Sequence, residues 1–362
     1  MNILILTATF GHGHDAAAKA IKSQISNRRA DVNVEVVDFM SYLFPYVYKG
    51  IYTGFNYVVR NNLKLFDMMI RADYLSSRFP WREDITNSFA VKKIVNKYNP
   101  HLIICTWPMG CRYISAYKKR HEDPIPFVTC ITDIAVHPEW ITKESDYYLV
   151  ASKESEAVLL NKGIRKNKII SCGIPIAPAF KKTQVDDGTC GKKRILIMGG
   201  GLGLIPGIDS LLNALQKEDN CHVTVIAGQN EELRDYLIST YPGVETLGFT
   251  QNVAEYMKKA DAVFTKAGGM TMFEAIGTET PIFVFDPVIW NERINADYIQ
   301  NSGIGRILRT ERMGWVEEFV GYISSEDTLE YMKRNIRNIK SAMDSEVIEA
   351  IDMIIDRVSL PA

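Results

Sequence analysis

Residues 261–296 read DAVFTKAGGMTMFEAIGTETPIFVFDPVIWNERINA, and this stretch limits the fold more than any other in the chain. Ala262 to Thr265 is a short apolar run suited to a strand buried on both faces, Lys266 to Gly269 makes a tight turn, Met270 to Thr278 is compatible with a helix, and Pro281 to Phe285 is a second apolar strand. Strand, turn, helix and strand at this spacing form a βαβ unit, which commits the region to a parallel sheet with helices on its faces. The turn also has a chemical consequence. A helix N-terminus presents unsatisfied N–H groups and a partial positive charge, and glycines let the backbone come close, so a diphosphate fits there. Lys266, Gly268, Gly269, Met270 and Thr271 are therefore candidate diphosphate-binding residues. Glu274 falls about one turn into the helix, where a carboxylate can accept hydrogen bonds from both ribose hydroxyls. The second strand is expected to end in a polar loop, Asp286 to Arg293, from which Asn291 and Glu292 reach a sugar at the carboxyl edge of the sheet. The competing reading is a plain βαβ unit with a solvated glutamate.

The same alternation runs through the rest of the chain. At 362 residues the chain suits two domains of about 150 to 200 residues. The proline-punctuated stretch from Cys172 to Phe180, followed by a polar run, places a linker at 176–193 between a first domain, 1–175, and a second, 194–345. The helical segment 346–362 is expected to cross back onto the first domain. In the first domain, Asn2 to Ala8 and Val32 to Asp38 read as strands and Asp15 to Ile25 as a helix. The turn Gly11-His12-Gly13-His14, with Ala16, formally matches the G-x-G-x-x-[G/A] dinucleotide fingerprint, a weak signal when it stands alone. Pro100 to Thr106, Pro126 to Ile131 and Tyr147 to Ala151 are further strands. In the second domain, Arg194 to Met198 is a strand leading into Gly199-Gly200-Gly201-Leu202-Gly203 and the helix Ile208 to Leu215. Pro206 breaks the dinucleotide pattern, and Gly200, Gly201 and Gly203 read instead as a second backbone cradle. A flexible hairpin is the bland alternative.

Composition removes several function classes. Lys plus Arg (42) nearly balances Asp plus Glu (43), so no nucleic-acid partner is expected and any basic surface must be local. Such a surface is written into residues 41–82, which hold eleven aromatics, six Lys or Arg and two acids. On a helical wheel Tyr48, Ile51, Phe55, Val58, Leu65 and Met69 form one stripe, with Lys49, Arg60, Lys64 and Arg71 roughly opposite. This suits an anionic membrane interface, and the alternative is a core-facing helix with a solvated basic face. The six cysteines are scattered, without metal-ligand spacing, and read as reduced thiols. The opening MNILILTATF lacks a signal-peptide pattern and no apolar run is long enough to span a bilayer. The expected location is thus cytoplasmic and peripheral, on the cytoplasmic face of the cell membrane.

Lys266-Ala-Gly-Gly-Met-Thr-Met-Phe-Glu274, with Pro281, Asn291-Glu292 and Asn295-Ala296, resembles the donor-site signature of the diacylglycerol glycosyltransferases. These are the bacterial processive diacylglycerol glucosyltransferases and the plant monogalactosyldiacylglycerol synthases, relatives of the peptidoglycan N-acetylglucosaminyltransferase. Matches continue along most of the chain. They include the Gly-rich turn ending in His14, Thr132-Asp133 with His137 and Trp140, Gly173-Ile-Pro-Ile176, and the loop around Phe249, near which the family holds the base. The resemblance implies an α/β chain of two Rossmann-like domains facing a cleft, the GT-B fold. It further implies inverting transfer of glucose or galactose from a UDP-sugar to a lipid hydroxyl, with no metal and no cofactor beyond that co-substrate. His14, preceded by Gly13, would be the base, and Asp133 and His137 would orient it or the acceptor. The bland readings are a His14 that caps the helix start, a capping Asp133 and a structural His137. An HxH zinc site through His12 and His14 lacks further ligands. Ala267 and Trp290-Asn291 depart from the family pattern, which leaves the hexose open. A UDP-sugar 2-epimerase, a non-catalytic nucleotide-sugar sensor and an NAD oxidoreductase are the alternatives on related folds.

Overall fold

The computed structural model describes residues 1–10, 13–62, 67, 68, 71, 88–181, 191–343 and 345–359. They fall into two compact units, Met1–Pro178 with Met343–Ala362, and Ala179–Ala342. The expected linker contains the first crossover. Within it Pro178–Phe180 is a short 3-10 turn and Lys193 already belongs to a strand, while residues 182–190 lie outside the described ones.

The first unit is built on six parallel strands, β1 (Asn2–Thr7), β2 (Asn33–Asp38), β3 (Leu102–Cys105), β4 (Phe127–Cys130), β5 (Tyr147–Val150) and β6 (Ile169–Ser171), in the order β2-β1-β3-β4-β5-β6. Its helices are α1 (Gly13–Arg28), α2 (Met40–Leu43), α3 (Tyr48–Asn61), α4 (Ser88–Tyr98), α5 (Pro108–His121) and α6 (Lys153–Asn161). Side chains alternate across a strand, so the run NILILT must be apolar on both faces to be central. Leu4 and Leu6 enter a core with Ile103, Phe127 and Tyr148, which α4 and α5 cover through Ile94 and Ile114. Ile3 and Ile5 point the other way, against Ala18, Ile21 and Ile25 of α1.

The second unit repeats the plan with β7 (Lys193–Met198), β8 (Cys221–Ile226), β9 (Glu245–Leu247), β10 (Ala262–Thr265), β11 (Ile282–Phe285) and β12 (Gly305–Leu308), ordered β12-β11-β10-β7-β8-β9 and parallel throughout. Its helices are α7 (Ile208–Leu215), α8 (Glu231–Thr240), α9 (Val253–Lys259), α10 (Gly269–Thr278), α11 (Trp290–Asn301), α12 (Trp315–Ser324) and α13 (Glu326–Ala342). In both sheets the first strand of the unit lies beside a later one, at β1/β3 and β7/β10, so the chain leaves the two carboxyl ends in opposite directions. That reversal opens a crevice where such sheets take ligands.

The last helix, α14 (Val347–Ser359), belongs to the first unit although it follows the second in sequence. Ile348, Ile351, Ile354 and Ile355 are at most 2% exposed beside α1. At about 1.5–3 kcal/mol for each buried isoleucine, this apolar face anchors the helix. The exposed Arg29–Asp356 pair at 2.9 Å adds little to that.

Two expectations need correction. Asp286 to Arg293 is not all loop, because α11 begins at Trp290 and carries Asn291 and Glu292 on its first turn. The aromatic stripe of 41–82 also does not face outward where it is described. Tyr48, Ile51 and Phe55 of α3 are half-buried, the first two packing on the core and the third against Phe10. The outer face of α3 carries Lys49, Thr53, Tyr57 and Arg60, preceded by the exposed Phe44, Tyr46 and Val47. Lys64, Leu65 and Met69 lie outside the described residues, and Arg71 pairs with Asp67 at 2.8 Å. Among the described residues no helix is long and apolar enough to cross a membrane.

Candidate active site

Two clusters of candidate residues form, one at the carboxyl edge of each sheet. In the first unit α1 starts at Gly13, so His14 sits in the first helical turn after β1. Its backbone carbonyl accepts a hydrogen bond from Thr106 Oγ1 at 2.9 Å, and the same hydroxyl lies 3.0 Å from Thr7 Oγ1. The ring is held separately. Its Nδ1 lies 2.9 Å from Thr132 Oγ1, and it packs edge-to-face with Trp140 at a centroid distance of 5.9 Å. Threonines at or just past the carboxyl ends of β1, β3 and β4 thus fix one histidine. Burial lowers the His14 pKa to about 4, with a hydrogen bond to the Thr106 backbone pulling it back up. The ring is neutral at pH 7, the form a proton acceptor needs.

Asp133 follows Thr132 in the same loop and is half-buried. His137 has a structural task. Its Nδ1 accepts from the backbone N–H of Glu139 at 3.3 Å and caps the 3-10 turn Pro138–Trp140. His12 lies outside the described residues. Sequence reasoning gave no role to Thr106 or Thr132, because nothing local to a threonine shows that it will meet a histidine more than ninety positions away in sequence.

In the second unit the Gly-rich turn after β7 is shaped by close approach. Gly203 has φ +64°, and a Cβ there would stand 1.9 Å from the Ala227 carbonyl oxygen. A Cβ on Gly200, at φ +68°, would meet Cε of Lys266 at 2.9 Å. No other residue type fits either position without a shift. Asn230 caps α8 by accepting from Leu233 N–H at 3.1 Å and donates to the Gly203 carbonyl at 3.2 Å, which ties the turn to the next loop.

Lys266, at the end of β10, extends over Gly200 and places Nζ 2.7 Å from Oε1 of the buried Glu292. Asn295 Nδ2 donates to the Ala267 carbonyl at 3.0 Å, so α11 fastens the turn that precedes α10. The N-cap of α10 is Gly268, which has no side chain to cap it, and the first-turn N–H groups of Gly269, Met270 and Thr271 fall where an anion would be stabilised. Glu274 lies one turn further on, half-buried, and its carboxylate has no hydrogen-bond or ion-pair partner among the described residues. Burial raises its pKa to about 7. A raised carboxyl with no structural partner makes Glu274 a candidate functional group. Gly200, Lys266, Gly268 and Glu292 are therefore brought together. Asn291 shares the first turn of α11. Gly201 shares the turn with Gly200, and Phe249 follows β9 and is 65% exposed.

A cavity of about 430 Å³ lies elsewhere in this unit, lined among others by Lys192, His222 and Glu245 at the amino ends of β7 to β9. It contains none of these candidate residues and lies at the amino rather than the carboxyl ends of those strands.

Two parallel sheets of this kind, each with a Gly-rich or histidine-bearing turn at its strand reversal, are the two Rossmann-like halves of the GT-B fold. Solved structures agree on the fold. The MurG structure from Acinetobacter baumannii superposes with a TM-score of 0.65 at 12% identity over 98% of this chain and 99% of that one. The UDP-GlcNAc 2-epimerase of Neisseria meningitidis, bound to UDP-GlcNAc, gives 0.60 at 13% identity over 99% and 100%. Residues 14–176 match the family model of monogalactosyldiacylglycerol (MGDG) synthase, and residues 194–347 that of the glycosyltransferase family 28 C-terminal domain. The processive diacylglycerol beta-glucosyltransferase of Bacillus subtilis is 28% identical over 368 residues, covering 96% of this chain and 93% of that protein. The chain thus carries two glycosyltransferase family domains, one in each half.

Proposed function

We propose that the protein transfers glucose or galactose from a UDP-sugar to a lipid hydroxyl, diacylglycerol or a glycosyl-diacylglycerol, with inversion at the anomeric carbon. The observation that carries the donor assignment is Glu274, a half-buried carboxylate with no partner among the described residues, one turn inside a helix whose N-terminus has no side-chain cap. The diphosphate lies on the N–H groups of Gly269 to Thr271 with Lys266 alongside, the ribose hydroxyls donate to Glu274, and Asn291 and Glu292 meet the hexose. His14, neutral at pH 7, removes the proton of the acceptor hydroxyl as its oxygen bonds to the anomeric carbon. The bond from that carbon to UDP breaks, and the departing negative charge is stabilised by the helix N-terminus and Lys266.

This mechanism takes its positive field from backbone and lysine, so it runs without a divalent metal or other cofactor. The acceptor implies work at a membrane, on the cytoplasmic side where UDP-sugars are made. The outer face of α3, with Lys49, Arg60 and exposed aromatics before and along it, supplies a surface for anionic lipid. The test is incubation with UDP-glucose, UDP-galactose or UDP-N-acetylglucosamine, with and without diacylglycerol vesicles. The expected result is UDP release together with a β-linked glycolipid, dependent on lipid. Conversion of the UDP-sugar without lipid would instead make the protein an epimerase, and binding without conversion would make it a sensor.

A further inference from the structure

Thr132 has no part in the proposed chemistry as stated, yet its hydroxyl lies 2.9 Å from His14 Nδ1 and the residue is 4% exposed. The rest of His14 is held by Thr106, whose hydroxyl meets its carbonyl and whose backbone also hydrogen-bonds the ring, and by Trp140 beside the ring. What remains undetermined is which ring nitrogen carries the proton. A neutral imidazole holds only one, and a hydrogen bond at one nitrogen decides the state of the other. In water the neutral ring prefers its proton on Nε2, which would leave Nε2 useless as a base.

We propose that Thr132 is a positioning residue: its Oγ1 accepts the Nδ1 proton of His14 and so leaves the Nε2 lone pair open to take the acceptor's proton. The tautomer is proposed from this contact and is read directly by the spectrum below, while its catalytic value rests on His14 being the base. The low pKa of the ring is consistent with this arrangement, since it keeps the histidine in the neutral form for which tautomers exist. Thr106 holds the backbone from which the ring projects and hydrogen-bonds the ring through its own backbone, and Thr132 meets Nδ1.

The chain has six histidines, so nitrogen-15 labelling of histidine in the full-length protein gives a tractable spectrum, with His14→Gln assigning the signal. Near neutral pH the wild type should show a protonated Nδ1 and a bare Nε2 at His14. Thr132→Val keeps the branched shape and removes the hydroxyl, so the proton should move to Nε2, while Thr132→Ser should retain the wild-type pattern. In transfer assays Thr132→Val should lower kcat roughly 10- to 100-fold with donor KM unchanged, part of the contribution of a general base, and Thr132→Ser should recover most of it. A wild-type Nε2 proton would overturn the proposal from that spectrum alone, whether or not the valine variant folds. A folded Thr132→Val protein, judged by unchanged signals from the other histidines, that keeps the Nδ1 proton or wild-type kcat would overturn it as well. If His14→Gln were itself fully active, the failure would belong to the base assignment, because the tautomer measurement does not depend on turnover.

Discussion

Glu274→Gln should remove a pH dependence from UDP binding that the wild type shows. Burial raises this carboxyl from the usual range to about 7, so at pH 7 it is half ionised. Only the carboxylate accepts from both ribose hydroxyls. The ionised fraction falls close to tenfold per unit below the pKa, and each tenfold is about 1.4 kcal/mol of affinity. Calorimetry at pH 6, 7 and 8 should therefore show the dissociation constant for UDP level off above pH 7 and rise below it. Glu274→Gln should bind about 10- to 100-fold more weakly at pH 8, having lost charge-assisted bonds of roughly 1.5–3 kcal/mol. Its remaining pH response is then that of the ligand's own phosphate, which serves as the control.

Stability supplies a second readout with a definite sign. Because the folded pKa is raised, the native state holds the proton more tightly than the unfolded chain between the ordinary carboxyl value and about 7. The stabilising contribution is complete below that window and is lost as pH rises through 7, by at most about 3 kcal/mol and less where water reaches the group. His14 works in the opposite direction. Its lowered pKa makes the fold gain stability as pH rises from about 4 through the ordinary histidine value. In Glu274→Gln the carboxyl's contribution should vanish while that of His14 remains. Equal pH slopes for UDP binding in wild type and variant would refute the assignment of Glu274 to the ribose.

Lys266→Met should weaken UDP binding much more than uridine binding, because the lost cation serves the diphosphate, and it should lower the melting temperature by leaving the buried Glu292 unpaired; equal losses for the two ligands would remove Lys266 from the diphosphate site. Transfer should persist in EDTA, and a loss that manganese restores would contradict a metal-free mechanism. Pelleting with anionic vesicles should be reversed by salt, and replacing Lys49 and Arg60 with Glu should abolish it without changing UDP affinity. A double variant that still pellets would return α3 to a purely structural role.

The βαβ unit at β10, α10 and β11 was legible because a short apolar run, a glycine pair and a helix-compatible stretch each signal one element without conflict. The helix α11 was partly missed because its buried face is Glu292, Asn295, Ala296 and Ile299. Two of those four are polar, so the helical period hides inside a polar string, and the polarity itself is explained by the bonds to Lys266 and Ala267. The strand β12 was missed behind Gly303 and Gly305. The latter is required because a Cβ there would stand 1.7 Å from the Ile282 carbonyl oxygen of the neighbouring strand. The helix α5 was missed for a similar reason, since its buried face includes Gly110 and Cys111 rather than large apolar residues. On α3 the periodicity was plain but its direction was not. Phe10, reaching from the loop after β1 to Tyr52, Phe55 and Trp107, and the core contacts of Tyr48 and Ile51 show which way the stripe turns. Glu274 could be singled out by spacing, whereas its lack of a partner is a property of the folded unit.

The central claim is that His14 is the base of a glycosyl transfer, and kcat for His14→Ala with saturating UDP-sugar and lipid tests it most directly. Removing a general base typically costs about 10² to 10⁴ in rate, so kcat should fall by that range while UDP affinity, set in the other unit, barely moves. Wild-type kcat in a folded His14→Ala protein would contradict the account.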